Sequence, residues 1–228
     1  MLGNSFRLKA EIYYQYLFAI PIDKDAATSF SLVNTGAGFS RFFPEKLTNK
    51  GVGNNYGAEL TLEKFFSQGY LFLLTGSLFE AKYKASDEVW RDTDFNGNYI
   101  FNALFTKEWR LKSKNTFALG GKVTTAGGRR YGPVDETASE EQKEVVYVSD
   151  TRNSLQFAPY FRADLSINYK INRAKVTHEI ALDLVNLFDI KNILKLTYVP
   201  RTDNNIPTRI REEYQLGFLP LFYYRLDF

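Results

Sequence analysis

Few residues of this 228-residue chain have types and spacing that could do chemistry, and each has a plainer reading. His178 stands beside Glu179, and an imidazole next to a carboxylate is the pairing of a general base or a metal ligand. It is the one histidine present, cysteine is absent, and in an extended segment the two side chains point to opposite faces. A Ser-His-Asp hydrolase site would need this same histidine, and nothing selects a serine to join it. Gly127-Gly-Arg-Arg130 offers the amides and guanidiniums that suit an oxyanion. No strand-to-helix context follows, so the P-loop reading fails. A strand end opening into a loop is expected there, with Arg129 and Arg130 facing acidic loop residues or external phosphate groups. The run from Asp135 to Glu144 holds Glu136, Glu140 and Glu141 but lacks the EF-hand spacing and central glycine, and reads as an exposed, mobile loop. No catalytic, cofactor-binding or metal-binding residue is assigned. The expectation is a protein that is not an enzyme and takes no cofactor.

The elements that would position these residues are strands. From Phe6 the sequence alternates without an error: Phe6, Leu8, Ala10, Ile12, Tyr14 and Tyr16 on one face, Arg7, Lys9, Glu11, Tyr13 and Gln15 on the other. That run exceeds an average strand of about 5 to 6 residues and suits the roughly 9 to 11 tilted residues that cross a bilayer. Asn55 to Phe65 repeats the device, with Tyr56, Ala58, Leu60 and Leu62 opposite Glu59, Thr61 and Glu63. Only Ser67-Gln-Gly69 separates it from Tyr70 to Phe79, which is apolar on both faces, so its period assigns no side. Further strands are expected over Gly97 to Trp109, Thr116 to Thr125, Phe161 to Ile171 and Thr177 to Phe188. A short hairpin follows (Ile193 to Val199, a turn at Asp203-Asn-Asn205, Ile210 to Gly217), and then the terminal strand, Phe222 to Phe228. In that last strand Phe222, Tyr224, Leu226 and Phe228 share one greasy face.

Eight long strands result, joined by connections that alternate long and short. The longer ones are Pro21 to Asn54, the medium Lys84 to Phe95, Ala126 to Ala158 and the segment carrying the hairpin; the tight turns lie at Ser67 to Gly69, Lys112 to Asn115 and Asn172 to Lys175. Outer-membrane barrels distribute extracellular loops and periplasmic turns in this way, whereas a soluble sandwich has no reason to keep its long loops at one end. Composition agrees, with 15 Tyr and 20 Phe against one Met. Scattered charge, net +3, gives no case for nucleic acid. No apolar run reaches the roughly 18 to 20 residues of a membrane helix. The first ten residues lack the apolar core and cleavage site of a signal peptide, so the export signal of an exported protein is expected outside them.

Several stretches, in this order and spacing, resemble the C-terminal barrel region of TonB-dependent outer-membrane receptors of the Bacteroidetes type. They are Asn55-Tyr-Gly-Ala-Glu-Leu-Thr-Leu-Glu-Lys64, Leu73-Leu-Thr-Gly-Ser-Leu-Phe79, Phe95-Asn-Gly-Asn-Tyr99, Gly127-Gly-Arg-Arg-Tyr131, Asp183-Leu-Val-Asn-Leu-Phe-Asp189 and Tyr223-Tyr-Arg-Leu-Asp-Phe228. The resemblance spans nearly all of residues 1–228. It implies an all-β, antiparallel up-and-down transmembrane barrel segment with an extracellular hairpin, cut from a barrel of roughly 22 strands with a plugged lumen. It implies active uptake of a nutrient such as a glycan, siderophore or peptide across the cell outer membrane. The plug, the coupling segment read by TonB and the earlier strands are not in this sequence, so the chain is expected to transport nothing alone. The implied partners are outer-membrane lipid, lipopolysaccharide and the barrel-assembly machinery, the last through the C-terminal strand; the TonB complex would act only through the missing N-terminal part. Phe222, Tyr224, Leu226 and Phe228 would face lipid and form the assembly signal. Arg7, Glu59, Glu63, Arg162 and Asp164 would face the lumen.

Two other readings stay open on the sequence. One is a self-contained eight-strand outer-membrane barrel, an adhesin or small enzyme, since eight strands can close with side chains filling the interior. Against it, the inward faces carry many long charged side chains. The other is a soluble β-barrel binding protein with the same alternation turned apolar side in, which leaves the terminal Phe228 and the one-sided long loops unexplained.

Overall fold

Residues 5–24, 27–35, 46–112, 114–200 and 209–228 are described by a computed structural model. In chain order its elements are β1 (Phe6–Asp23), a single 3-10 turn (Leu32–Asn34), β2 (Leu47–Ser67), β3 (Tyr70–Lys84), the short β4 (Trp90–Asp92), β5 (Tyr99–Arg110) and β6 (Thr116–Ala126). There follow the two-residue β7 (Arg130–Tyr131), α1 (Glu136–Gln142), the two-residue β8 (Leu155–Gln156), β9 (Tyr160–Asn172), β10 (Thr177–Val185), β11 (Ile193–Tyr198), β12 (Ile210–Tyr214) and β13 (Leu219–Asp227). The eight long strands form one antiparallel sheet in the order β1-β2-β3-β5-β6-β9-β10-β13, with β4 added to β3. Consecutive long strands pair with one another along the whole order, leaving β1 and β13 at its two ends. β11 and β12 make the separate hairpin expected from the sequence; its turn at Asp203 to Asn205 lies outside the described residues.

Register carries the sequence alternation across the whole sheet. Arg7 pairs with Glu63 and Glu11 with Glu59, so the charged sides of β1 and β2 coincide. Glu59 pairs with Ser77, Thr75 with Asn102, Asn102 with Thr124, Thr124 with Arg162, Lys170 with Glu179 and Glu179 with Arg225. These pairs define one polar face. The other face runs through Leu60, Gly76, Phe101, Thr125 and Phe161, and at another level through Phe117, Tyr169, Ile180 and Tyr224. β3, whose period assigned no side, is settled by its neighbours. Phe72, Leu74 and Leu78 stand on the apolar face, while Leu73 stands with Glu63 on the polar one.

Three boundaries differ from the sequence reading. β1 and β2 run on into the expected loop, pairing Ile20 with Gly51, Ile22 with Thr48 and Asp23 with Leu47. A bulge at Leu17 to Ile20, where Ala19 has φ +54°, breaks the period of two and hid the continuation. Pro21 is tolerated there because β1 is an edge strand, and Pro220 likewise in β13 at the opposite edge. The terminal strand begins at Leu219, earlier than Phe222, and ends at Asp227. The segment from 127 to 158 is not a structureless loop: it holds β7, α1 and β8. Asp135 caps α1, its side chain accepting from the Ala138 N–H at 3.0 Å, and Lys143 closes it in the left-handed conformation.

The hydrophobic core is small. Ile22, Tyr83 and Ala85 pack together with Val33 at the long-loop end. The large side chains of the apolar face lie open, with Ile12 90%, Phe222 71% and Phe228 95% exposed. A sheet normally buries an apolar face against a second layer. Here the extensive element contacts are those between neighbouring strands, and of β1 with the 3-10 turn.

Candidate functional site: two unlike faces and an interlocked loop end

The five residues expected on the lumen side, Arg7, Glu59, Glu63, Arg162 and Asp164, all fall on the polar face, though not in one cluster. Arg7 pairs with Glu63 at the β1 edge, and Glu59 accepts from the Ser77 hydroxyl at 3.2 Å. Arg162 and Asp164 lie on β9, joined by two parallel N–H···O bonds of 2.7 and 2.8 Å. Asp164 also accepts the Asn186 N–H at 2.9 Å, tying the polar face to the end of β10. Between the two groups runs a neutral ladder: Thr124 donates to Asn102 at 2.8 Å and Asn102 to Thr75 at 3.2 Å.

A further cluster on this face escaped the sequence reading. Glu179 is 4% exposed and draws in Asn168, Lys170 (3.8 Å), Tyr223 (3.2 Å) and Arg225 (2.6 Å) from β9 and β13. Only the pairing of three strands assembles it. His178, on the opposite face as its place beside Glu179 requires, meets the Tyr224 hydroxyl at 2.6 Å through Nδ1.

The greasy side chains Phe222, Tyr224 and Leu226 lie on the apolar face, in register with Leu182, Ile180 and His178. Near the tight turns this face carries an aromatic row through Trp109, Phe117 and Tyr169 to Tyr224, with Trp109 and Phe117 stacked at 5.7 Å. The two lysines of the face at this end bend toward turn carbonyls. Lys64 donates to Ser67 O and Tyr70 O with its ammonium 3.6 Å from the Tyr70 ring centroid, and Lys107 donates to Gln68 O. Farther along, Ala10, Ala58, Gly76 and Ala103 leave a groove of about 790 Å³ roofed on one side by Phe101.

At the other end the long connections interlock through Asp94. Its carboxylate takes Arg152 at 3.1 Å and Asn153 at 2.8 Å, its N–H donates to Asn34 at 2.9 Å, and its carbonyl accepts the Arg130 N–H at 3.0 Å. Three connections therefore meet at one residue. Arg130 donates to Asn96 O and to Asn98 at 2.8 Å and stands 3.7 Å from Asp92, so it faces an acidic loop residue as expected. Arg129 instead lies over the Phe95 ring at 4.8 Å. Tyr147 lies under the Arg152 guanidinium, and burial pushes its phenol above the ordinary value.

Phe95-Asn-Gly-Asn-Tyr99 and Gly127-Gly-Arg-Arg-Tyr131 thus meet in space. A Cβ on Gly127 would sit 1.7 Å from Gly97 O, and one on Gly97 would sit 2.6 Å from Gly127 O, so only glycine permits the contact. The acidic run expected as a loop holds the short helix α1, with pinned flanks and Ser139 fully buried. Glu140, Glu141 and Glu144 remain exposed, and Glu140 pairs with Arg209. Among the described residues no group of three or more His, Cys, Asp or Glu is placed to hold a metal.

Fold and surface together define an all-β protein built on an amphipathic up-and-down sheet with all its elaboration at one end. No family model, no curated protein and no solved structure matches the chain.

Proposed function

We propose that this chain is the C-terminal part of the barrel of a TonB-dependent outer-membrane receptor, which takes up a nutrient when complete and does not transport alone. The observation that carries the reading is the apolar face, which leaves large side chains exposed on seven of the eight strands from Ile12 on β1 to Phe222 on β13, those of β9 being half-buried. Monomeric soluble proteins rarely expose contiguous apolar patches beyond a few hundred Å². Lipid is the solvent that makes such a face stable, and the ion-paired face opposite then suits a wet or plugged lumen. The interlocked long connections and the hairpin would be extracellular. What favours a segment of a larger barrel over a closed eight-strand one is that β1 and β13 lie at opposite ends of the sheet order, with no pairing between them.

The absence of cysteine makes the test clean. Single cysteines replace Ile12, Phe101 and Leu165, or Arg7, Glu59 and Ser166, in the chain inserted into phosphatidylcholine vesicles. A water-soluble maleimide should label the second set and spare the first, while a membrane-soluble one should label the first. Equal labelling of both sets by the water-soluble reagent would sink the membrane reading.

A further inference from the structure

Some of the cations near the two ends of the sheet are matched to carboxylates and others are not. At the long-loop end Arg91, Arg130, Arg152 and Arg209 are each matched to a carboxylate: Asp87, Asp92, Asp94 and Glu140. At the tight-turn end the turns between β5 and β6 and between β9 and β10 carry Arg110, Lys112, Lys114, Arg173 and Lys175, all exposed. Among the described residues none of these five takes part in an ion pair. The two turns are neighbours, because β6 pairs with β9, and Asn172 donates to Lys114 O at 2.8 Å to hold them together. They form one predominantly basic patch, with Glu108 the one acid lining the hollow beside Arg110, Lys112 and Lys114.

Its position indicates the partner. The patch lies immediately beyond the aromatic row: Trp109 precedes Arg110, Phe117 follows Thr116, and Tyr169 pairs with Phe117 and receives a 2.8 Å bond from Asn115 inside the turn. Amphipathic rings sit at the headgroup level of a bilayer, so cations one step farther out reach the phosphates of that leaflet. We infer that the β5–β6 and β9–β10 turns form a binding surface for anionic phospholipid headgroups. This rests on the membrane reading above. The chemistry is that of ammonium and guanidinium groups meeting phosphodiester oxygens, with Arg110 and Arg173 able to grip two oxygens at once. A zwitterionic headgroup offers the same phosphate with its charge already cancelled, so the patch discriminates by net charge.

The chain's two tryptophans make the test local. Trp90→Phe removes the one at the long-loop end and leaves Trp109 beside the patch as reporter. The chain is inserted into phosphatidylcholine vesicles containing a small fraction of either brominated phosphatidylglycerol or brominated phosphatidylcholine, and quenching of Trp109 is compared. The expected result is stronger quenching by the anionic lipid, reflecting a local enrichment of roughly fivefold, the partitioning that one cation at an anionic surface supplies. Replacing Lys112, Lys114, Arg173 and Lys175 with glutamine should abolish the excess, lysine-to-arginine changes should keep it, and high salt should erase it. Equal quenching by the two lipids, or an excess that survives the glutamine changes, overturns the headgroup surface while leaving the membrane reading standing. No quenching by either lipid overturns the membrane reading and the headgroup surface with it.

Discussion

Leu165 lies near the middle of β9, in register with Gly121 of β6 and Leu184 of β10. Ala163 and Ile167 flank it on the apolar face, and the nearest acids along the two strands, Asp164 and Asp183, are on the other side of the sheet. An arginine at 165 would find no acceptor there and, on the proposed reading, would sit near the bilayer midplane at a cost of about 2 to 4 kcal/mol. Asp164→Arg is not a fair control, because Asp164 holds Arg162 and the Asn186 N–H. Ser166 is a better one. It lies on the polar face in register with Gly120 and Asp183, so an arginine there meets a carboxylate across the strands and should shift stability by less than about 1 kcal/mol. The two variants should therefore differ by roughly 5- to 1,000-fold in the insertion equilibrium. The fraction of chain floating with phosphatidylcholine vesicles across a urea series measures this. Equal midpoints for Leu165→Arg and Ser166→Arg, or a lower midpoint for the second, would refute the facing assignment.

The isolated chain has two open sheet edges, β1 and β13, and unpaired backbone groups in lipid cost several kcal/mol each, so it should lack the heat-modifiable gel migration of a closed barrel. A compact, boiling-sensitive monomer would instead establish an autonomous eight-strand barrel. Trypsin should first cut at exposed Lys143, after α1, and spare Arg130 and Arg152; Asp94→Ala, which takes the carboxylate from Arg152 and Asn153 but leaves the backbone bonds to Asn34 and Arg130, should open the site at Arg152, and an unchanged digestion pattern would show that the Asp94 carboxylate is not the tie. Asn186 is fully buried in a left-handed conformation and bonds Ile190 N, Ile190 O and Leu216 O. Its replacement by alanine should cost about 2 to 3 kcal/mol and raise cleavage at Lys191 and Lys195, with glycine less costly because it accepts the φ of +51°. Identical melting of the alanine and glycine variants would show that backbone strain plays no part.

Strand existence, strand facing and the order of loops and turns were legible in the chain, because a period of two over Phe6 to Tyr16 or Phe161 to Ile171 is a local property of adjacent side chains. The polar-face residues Arg7, Glu59, Glu63, Arg162 and Asp164 followed from the same parity. Where parity fails locally, the reading stopped short: the bulge at Ala19 masked the outer end of β1, and the doubly apolar β3 took its sides only from Glu63 and Asn102 across the ladder. Gly97 against Gly127, Asp94 holding Arg152 and Asn153, and Glu179 gathering Lys170 and Arg225 all join residues from different strands or connections. Each needs a register and a loop path that no single segment encodes, since hydrogen bonds and close backbone approach depend on positions fixed by the whole sheet. The basic patch at the β5–β6 and β9–β10 turns is of the same kind. Counting charges along the sequence gives net +3 and no pattern, and only the folding of β5, β6, β9 and β10 side by side brings Arg110, Lys112, Lys114, Arg173 and Lys175 to one edge.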